Sequence, residues 1–205
     1  PETLASVQSM AQPWIMATGI IVWSVLALML LHKIVTVIRE RAQLDISGRW
    51  IAVTGCDSGF GRGVVEALVA RRAMVIACCL TPEGASAALE AGARLAPCLD
   101  LKDERAILRA AQEVETACEG GLWGLVHCAG IVLPGFADYQ PISFYREVME
   151  VNFFAPVLLT QKLIPGLRKT RGRIVLVSSV DGLVSLPGNA PYDASKFAVE
   201  AYADA

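Results

Sequence analysis

Two side chains near the end of the sequence have the types and the spacing that suit proton transfer to and from an alcohol. Tyr192 and Lys196 are four residues apart, so on a helix they would lie one turn apart on the same face. An ammonium group beside a phenol stabilises the phenolate, and such a tyrosine can accept the proton of an alcohol or return it to a carbonyl. The hydroxyl groups of Ser178 and Ser179 follow an apolar run and could hold the reacting oxygen. Each residue alone also fits an ordinary role, such as a packed aromatic, a solvent-facing lysine or a serine pair that begins a turn.

A glycine-rich turn earlier in the sequence indicates nucleotide binding. Gly55, Gly59 and Gly61 form the pattern G-x-x-x-G-x-G between an apolar run and an apparent helix. Glycine lets the backbone turn sharply and lets a pyrophosphate approach it closely, and the start of the helix offers free N–H groups. A tight turn without a ligand is the alternative interpretation. The glycine turn follows the first strand of a region in which strands and helices alternate, and this location favours a nucleotide site.

The segments that must position these residues alternate between short apolar runs and longer mixed stretches. This alternation is typical of buried parallel strands joined by helices, and it predicts an α/β fold of the Rossmann type, a doubly wound parallel sheet with helices on both faces. The predicted domain covers 49–205 and is expected to continue beyond Ala205, because the last apparent helix has no stop signal. The predicted strands lie within 49–55, 73–80, 93–100, 122–130 and 172–179, and the predicted helices cover about 60–72, 83–91, 103–118 and 143–170, with one more after Pro191.

The start of the sequence predicts a membrane anchor. The 18 residues from Trp14 to Leu31 carry no charge, and a helix of that length spans roughly 27 Å, close to the hydrocarbon core of a bilayer. We predict a flank over 1–12 and a transmembrane helix with a basic juxtamembrane segment over 13–41, the membrane contact running through 14–38. A cleaved signal peptide would need a basic start and a small-residue cleavage site, and a buried soluble helix is the other alternative. Basic residues follow the apolar run and none precedes it, which predicts that the domain faces the cytosol.

Composition excludes several classes of protein. Hydrophobic residues make up 54% of the chain, and the mean hydropathy of +0.48 with a net charge of −2 excludes general disorder. The balance of 18 basic and 20 acidic residues argues against nucleic-acid binding. The six cysteines form no C-x-x-C pair and only two histidines are present, so we expect buried free thiols in a reducing compartment and no metal site.

The glycine turn and four later blocks, in this order, resemble the short-chain dehydrogenase/reductase family. Within it, the chain is similar to the branch of membrane-associated retinol, hydroxysteroid and 3-hydroxybutyrate dehydrogenases. The resemblance extends from Arg49 to Ala205 and leaves out the predicted anchor. Its motifs are Thr54 to Gly61 (TGCDSGFG), Asp100-Leu101, His127-Cys128-Ala129-Gly130, Asn152, and Ser179 with Tyr192 and Lys196, the tyrosine coming 13 residues after the serine.

The resemblance implies a role for each matching residue. Ser179 would hold the reacting oxygen and Tyr192 would move its proton, while Asn152 would sit at a helix irregularity and hold a water that links Lys196 to solvent. Alone, Asn152 could equally cap a helix. Hydride would pass directly between the substrate carbon and a nicotinamide ring. The implied catalytic residues are therefore Asn152, Ser179, Tyr192 and Lys196, and the implied cofactor contacts are Gly55, Asp57, Ser58, Gly59, Phe60, Gly61, Asp100, Leu101, Ala129, Gly130, Tyr192 and Lys196.

The sequence departs from the family where His127 and Cys128 replace two asparagines. Neither side chain reproduces the paired donor and acceptor of an amide, so we expect an adjusted site and a structural His127. The cofactor is predicted to be NAD, with NADP as the alternative, because a 2′-phosphate needs a nearby cation. Ser58 is not basic, Asp57 would repel the phosphate, and no acidic residue for the ribose follows the second strand.

We therefore expect a membrane-anchored alcohol dehydrogenase/reductase that acts on a secondary or allylic alcohol or its carbonyl. A tether suits a lipophilic retinoid or steroid, and Phe136 and Tyr139 suit an apolar ligand. The expected location is the endoplasmic reticulum membrane, in a single-pass protein for which a homo-oligomer is one open arrangement. One alternative is a catalytically silent nucleotide-binding or interaction module of the same fold. The other is a 3-hydroxybutyrate-type matrix enzyme, which the absence of an Arg-rich start disfavours.

Overall fold

A computed structural model describes residues 21–37, 44–119 and 121–205, in two units that cover Pro1–Asp45 and Ile46–Ala205. In the first unit, residues 21–37 are helical (α1), and their apolar side chains are exposed, Trp23 by 73%. Within the described residues, no helix combines the length and the apolar character needed to cross a membrane. Residues 13–20 and 38–41 of the predicted anchor, and its flank 1–12, lie outside the described residues.

The second unit is built on a parallel sheet of four strands in the order β2-β1-β3-β4. This confirms the predicted Rossmann-type α/β fold. Because β1 pairs with β2 on one side and β3 on the other, the chain reverses direction across the sheet between β1 and β3, and such a switch point opens a crevice at the carboxyl ends of the strands. The strands are β1 (Trp50–Thr54), β2 (Met74–Cys78), β3 (Gly124–His127) and β4 (Arg173–Leu176).

Helices cover both faces of the sheet. Successive side chains of a strand point to opposite faces, so each central strand contributes residues to two cores. Ile51 and Val53 pack in one core with α2 and α3, and Ala52 packs in the other core with α4 and α6. Both faces of β1 and β2 are buried, which explains why their sequences are continuously apolar. The helices are α2 (Gly59–Ala70), α3 (Pro82–Glu90), α4 (Glu104–Ala117), α5 (Ile142–Met149), α6 (Ala155–Thr170) and α7 (Ala190–Asp204).

The predicted strand over 93–100 is not a regular strand. It runs beside β2 but makes only two isolated bridges, Ile76 with Leu95 and Cys79 with Cys98. Pro97 lies between the bridges and interrupts the ladder, because proline has no N–H to donate. The segment still carries Leu99 and Asp100 to the carboxyl edge of the sheet.

The predicted helix over 143–170 is interrupted in the middle. It consists of α5, a π-helical turn over Glu150–Phe154 and α6. A π turn contains one more residue than an α-helical turn, and such turns are common at functional sites. The interruption contains Asn152, one of the catalytic candidates.

Candidate active site

A cleft of about 440 Å³ lies at the carboxyl ends of β1 and β3, where the chain reverses direction across the sheet. Loops from several strands converge on it, and most of the predicted cofactor contacts line it: Gly55, Asp57, Ser58, Phe60, Gly61, Asp100, Leu101, Ala129 and Gly130. Further lining residues that the sequence interpretation missed are Thr54, Leu80, Thr81, Leu99, Lys102, Cys128, Ile131, Glu147 and Val151. Leu80 and Thr81 could have been found, since they directly follow a buried strand, where ligands of open α/β sheets bind.

The glycine turn brings the backbones of three segments into contact. Gly55 has φ +70°, and a Cβ on it would lie 2.7 Å from Ala129 Cα, so the loops after β1 and β3 touch. Gly59 has φ +57° and turns the chain into α2, although its own atoms do not line the cleft. Ser58, the N-cap residue of α2, lines the cleft and makes no side-chain capping bond, so its hydroxyl does not occupy the amide groups of this first turn. A helix start without a side-chain cap is the kind of place where proteins commonly bind anions.

Asp57 connects the glycine turn to the start of α3. Its carboxylate accepts hydrogen bonds from Leu80 N at 2.7 Å, Thr81 N at 2.9 Å and Thr81 Oγ1 at 2.7 Å. Partial burial raises the pKa of Asp57, but these hydrogen bonds outweigh that effect and hold the pKa below its usual value. Asp57 is therefore a fixed negative charge on the wall of the cleft.

Asn152 uses its whole amide group to join three elements. Its Oδ1 accepts from Ile131 N at 2.8 Å, and its Nδ2 donates to Ile131 O and to Ser195 Oγ, both at 2.9 Å. The side chain is 3% exposed. The π turn thus holds the loop after β3 against α7. The position of Asn152 at a helix irregularity is as expected, whereas the water that it would hold stays a prediction.

Lys196 is buried and lies close to both Asn152 and the cleft. A Cβ on Gly130, which lines the cleft, would lie 3.4 Å from Asn152 Oδ1 and 3.8 Å from Lys196 Nζ. Lys196 Nζ donates to Val177 O at 2.8 Å and lies 5.5 Å from the centre of the Tyr192 ring. Burial lowers the pKa of the Lys196 ammonium group. The phenol and the ammonium group therefore lie on one face of α7, as the spacing predicted.

Ser179 begins a short 3₁₀ turn over Val180–Gly182 that packs against α7. Its Oγ accepts from Asp181 N at 3.2 Å. The neighbouring Ser178 has a buried Oγ with no partner within the described part of the chain. The structure thus brings Gly130, Asn152, Tyr192 and Lys196 together and sets Ser179 on the turn that contacts the same helix.

His127 is the last residue of β3 and is 3% exposed. Its Nε2 is 2.9 Å from Thr160 Oγ1, and its Nδ1 has no partner in the segments that the structure describes. Burial lowers the pKa of His127 to about 4. The ring is therefore neutral at physiological pH and joins β3 to α6, the structural role expected for it.

Burial of a neutral His127 should make stability depend on pH. The folded pKa of about 4 lies below 6.5, the ordinary value of a histidine in an unfolded chain. The unfolded chain therefore binds more protons between these values, and the free energy of unfolding should fall as pH drops from 6.5 to 4, by up to about 1.4 kcal/mol per pH unit. Urea unfolding of the protein and of His127→Gln at several pH values measures this slope, which the variant should lose. The exposed His32→Gln is the control, and equal slopes for His127→Gln and the unmodified protein would contradict the assignment.

The parallel sheet, the cleft at the switch point and the uncapped glycine turn define a dinucleotide-binding domain of the Rossmann type. Residues 49–205 match the model of the family described as short chain dehydrogenase. The chain therefore belongs to the short-chain dehydrogenase family. Membership confirms the predicted family.

Similar proteins agree with the predicted branch of the family. The chain is 37% identical to retinol dehydrogenase 5 from Homo sapiens, over 85% of this chain and 56% of that protein. It is 37% identical to 17-beta-hydroxysteroid dehydrogenase type 6 from Bos taurus, over 89% of this chain and 59% of that protein. It is 36% identical to mitochondrial D-beta-hydroxybutyrate dehydrogenase from Rattus norvegicus, over 77% of this chain and 49% of that protein. The crystal structure of a short chain dehydrogenase from Shigella flexneri superposes with a TM-score of 0.70 at 30% identity, over 78% of this chain and 67% of that one. The chain spans about half the length of the curated relatives that it matches.

Proposed function

We propose that the protein is a membrane-anchored oxidoreductase that transfers hydride between a nicotinamide dinucleotide and a secondary or allylic alcohol or its carbonyl. One observation carries this proposal. Gly130 lines the cleft and also lies next to Asn152 and Lys196, so the catalytic candidates adjoin the predicted cofactor site. A silent nucleotide-binding module would not need a buried lysine and a tyrosine on one helix face beside the cleft.

The residues present suit a dinucleotide. A Cβ at Gly61 would overlap the backbone oxygen of Gly55, so only glycine keeps this first turn of α2 close to the loop. The pyrophosphate would be held by the amide groups of that turn, and Ala129 and Gly130 would lie along the cofactor with little side-chain bulk. When bound, the nicotinamide ring accepts or supplies the hydride.

Tyr192 is proposed to move the proton of the reacting oxygen. The Lys196 ammonium group, 5.5 Å from its ring, favours the phenolate that accepts the proton during alcohol oxidation. Because burial lowers the pKa of Lys196, that group passes a proton on more readily than an exposed lysine would. Ser179 would hold the substrate oxygen by its hydroxyl, and Asn152 would keep the loop at Ile131 in place by its two hydrogen bonds there.

The proposed substrates are lipophilic, with retinoids and steroids as the first class. The names of two relatives, a retinol dehydrogenase and a hydroxysteroid dehydrogenase, support this class. So does the exposure of Phe136 and of Leu183, on two loops joined by a hydrogen bond from Gly135 N to Gly188 O at 2.8 Å. The hydroxybutyrate dehydrogenase relative supports a small hydroxy acid as the second candidate.

The decisive experiment is NADH formation by the protein in membranes with retinol, a hydroxysteroid and 3-hydroxybutyrate offered separately. Oxidation of retinol or the steroid supports the proposal, and oxidation of 3-hydroxybutyrate alone supports the second candidate. NADH binding without turnover on any substrate would contradict the enzymatic role and favour the silent module.

The membrane anchor over 13–41 is part of the same proposal. The described part of it, residues 21–37, is helical with exposed apolar side chains, which supports contact with lipid. Basic residues follow the uncharged run that ends at Leu31, at Lys33, Arg39 and Arg41, which supports a cytosolic catalytic domain and a single pass, with the endoplasmic reticulum as the proposed membrane.

Deleting residues 1–41 should release the protein from membranes and leave its affinity for NADH intact, because the cleft is built within 46–205. Fractionation at high salt followed by NADH titration measures both properties. Deletion of the flank 1–12 alone is the control and should leave the protein in the membrane fraction. Tight membrane association of the longer deletion would contradict a single anchor.

A further inference from the structure

Arginines lie along the edge of the sheet opposite the cleft, where the strands begin. The connections that lead into the strands, and into the bridged segment at Leu95, cover 45–49, 71–73, 91–94, 118–123 and 171–172. Their charged residues are the arginines Arg49, Arg71, Arg72, Arg94 and Arg171 and the carboxylates Asp45 and Glu119. Arg173 adds one more cation as the first residue of β4. We call these six arginines the arginine edge.

The connections that leave the strands carry the opposite charge. They cover 55–58, 79–81, 99–103, 128–141 and 177–189. Their charged residues are Asp57, Asp100, Asp103, Asp138 and Asp181, with Lys102 as the one cation. Helix dipoles favour cations at helix C-termini, which accounts for Arg71 and Arg171, the C-cap residues of α2 and α6. Dipoles do not account for Arg49 and Arg173, which lie at the starts of strands.

Backbone hydrogen bonds set the arginine edge in a row that follows the order of the strands. Arg94 N donates to Val75 O at 2.8 Å, and Gly48 N donates to Arg72 O at 2.9 Å. Neighbouring strands lie about 4.8 Å apart, so the positive charges are close together. Five of the six arginines are exposed and form no ion pair with a carboxylate among the residues that the structure describes: Arg49, Arg72, Arg94, Arg171 and Arg173.

Trp123 holds two of these arginines in place. The guanidinium carbon of Arg49 lies 5.9 Å from the centre of the Trp123 ring, and that of Arg173 lies 5.5 Å from it. Arg173 N also donates to Trp123 O at 2.8 Å. A cation–π contact positions a guanidinium group without neutralising its charge, so both groups can still bind phosphate or carboxylate oxygens.

We propose that the arginine edge binds anionic lipid headgroups of the membrane that holds the protein. The inference rests on the anchor of the proposed function. That anchor ends at Arg41, five residues before Ile46, where the second unit begins, and five residues span at most about 18 Å when fully extended. Ile46 O accepts from Arg49 N at 3.0 Å, so the chain enters the domain at the arginine edge.

The charge of the cytosolic leaflet fits this edge. Its anionic lipids attract arginines that lie within a few ångströms of the surface, and the opposite edge, with its excess of carboxylates, is repelled. Contact through the arginine edge therefore orients the domain. The cleft, at the other edge of the same sheet, then opens to the aqueous side, where a dinucleotide dissolves.

Reaction with phenylglyoxal, an arginine-specific reagent, tests the inference on the full chain. The protein is placed in vesicles of phosphatidylcholine, alone or mixed with phosphatidylserine, and mass spectrometry gives the initial rate of modification at each arginine. The rates at Arg72, Arg94 and Arg171 should be about fivefold lower in the mixed vesicles, the factor that corresponds to the attraction of one arginine to an anionic leaflet. Raising the salt concentration from roughly 50 to 500 mM should restore the rates, because salt screens this attraction.

Arg62 and Arg105 are internal controls. Both are exposed and lie in the first turns of α2 and α4, which begin at the carboxyl edge of the sheet. Their rates should be the same in both kinds of vesicle. Equal slowing at these residues and at the arginine edge would overturn the inference, because the lipid would then shield the whole domain.

Two matched double variants identify the charges responsible. Arg49→Gln with Arg173→Gln removes the guanidinium groups at Trp123 and should remove the protection of Arg72 by phosphatidylserine. Arg62→Gln with Arg105→Gln removes the same charge from the other edge and should leave that protection unchanged. The same result for both double variants would overturn the inference.

Failure of the anchor and failure of the arginine edge give different results. If the full chain does not sediment with phosphatidylcholine vesicles, the anchor is wrong, and protection in the mixed vesicles still decides the role of the edge. If it sediments with both vesicles and reacts equally in both, only the role of the edge fails. Protection by added poly-glutamate but not by phosphatidylserine would indicate an acidic protein partner and overturn the lipid inference. If the variant at Trp123 does not fold, salt decides, and protection that persists at the higher salt concentration overturns the inference.

Discussion

Replacing Tyr192 by phenylalanine should lower kcat by about 10²- to 10⁴-fold, the range typical of the loss of a general acid–base group. Phenylalanine keeps the ring, which lies 5.5 Å from Lys196 Nζ, and removes only the hydroxyl group. The fold and the cleft should therefore persist, and the affinity for NADH should change little. Single-substrate kinetics and NADH titration of the same preparation separate these two effects.

A second tyrosine on α7 provides the matched control. The ring of Tyr202 packs edge-to-face on Phe153 with the ring centres 6.2 Å apart, a contact that phenylalanine retains. Tyr202→Phe should therefore keep kcat near that of the unmodified protein. A Tyr192→Phe variant as active as Tyr202→Phe would show that another group moves the proton.

The strands could be predicted from the sequence because their pattern depends on burial alone. In β1 the residues Ile51, Ala52 and Val53 point to alternate faces, and both faces are covered by helices, so every position is apolar. The glycine turn could also be predicted from the sequence, because the positive φ of Gly55 favours glycine at that position. The sequence predicts a strand over 93–100 that the structure replaces by two isolated bridges, because the effect of Pro97 depends on which neighbour its backbone faces.

The contacts of the site residues could not be predicted, because they depend on tertiary packing. Asp57 was expected to touch a cofactor, and its carboxylate is bound to Leu80 and Thr81, more than 20 residues away. Asn152 pairs with Ile131 through both ends of its amide group. No local pattern indicates either partner. The residue types alone indicate that these side chains form hydrogen bonds. The fold determines which groups become their partners.

Replacing Gly61 by alanine should weaken NADH binding by at least about tenfold and destabilise the domain by about 1–3 kcal/mol, the typical result of overpacking. The added Cβ would overlap Gly55 O and lie 2.7 Å from Gly55 C and 3.1 Å from Thr54 O. All three are backbone atoms, so no side-chain rotation can relieve the overlap, and the start of α2 must move away from the loop. NADH titration and urea unfolding measure the two effects.

Gly63 is the matched control because it lies on the same helix, two residues further along. It is exposed, and a Cβ added there would meet nothing within 4 Å. Gly63→Ala should therefore leave NADH binding intact and stabilise α2 by up to about 1 kcal/mol, the difference in helix propensity between alanine and glycine. The two substitutions add the same methyl group to one helix, so a difference in NADH affinity between them isolates the contact of Gly61 with Gly55. If Gly61→Ala binds NADH as tightly as Gly63→Ala does, the pyrophosphate does not rest on the first turn of α2, and the dinucleotide must bind elsewhere in the cleft.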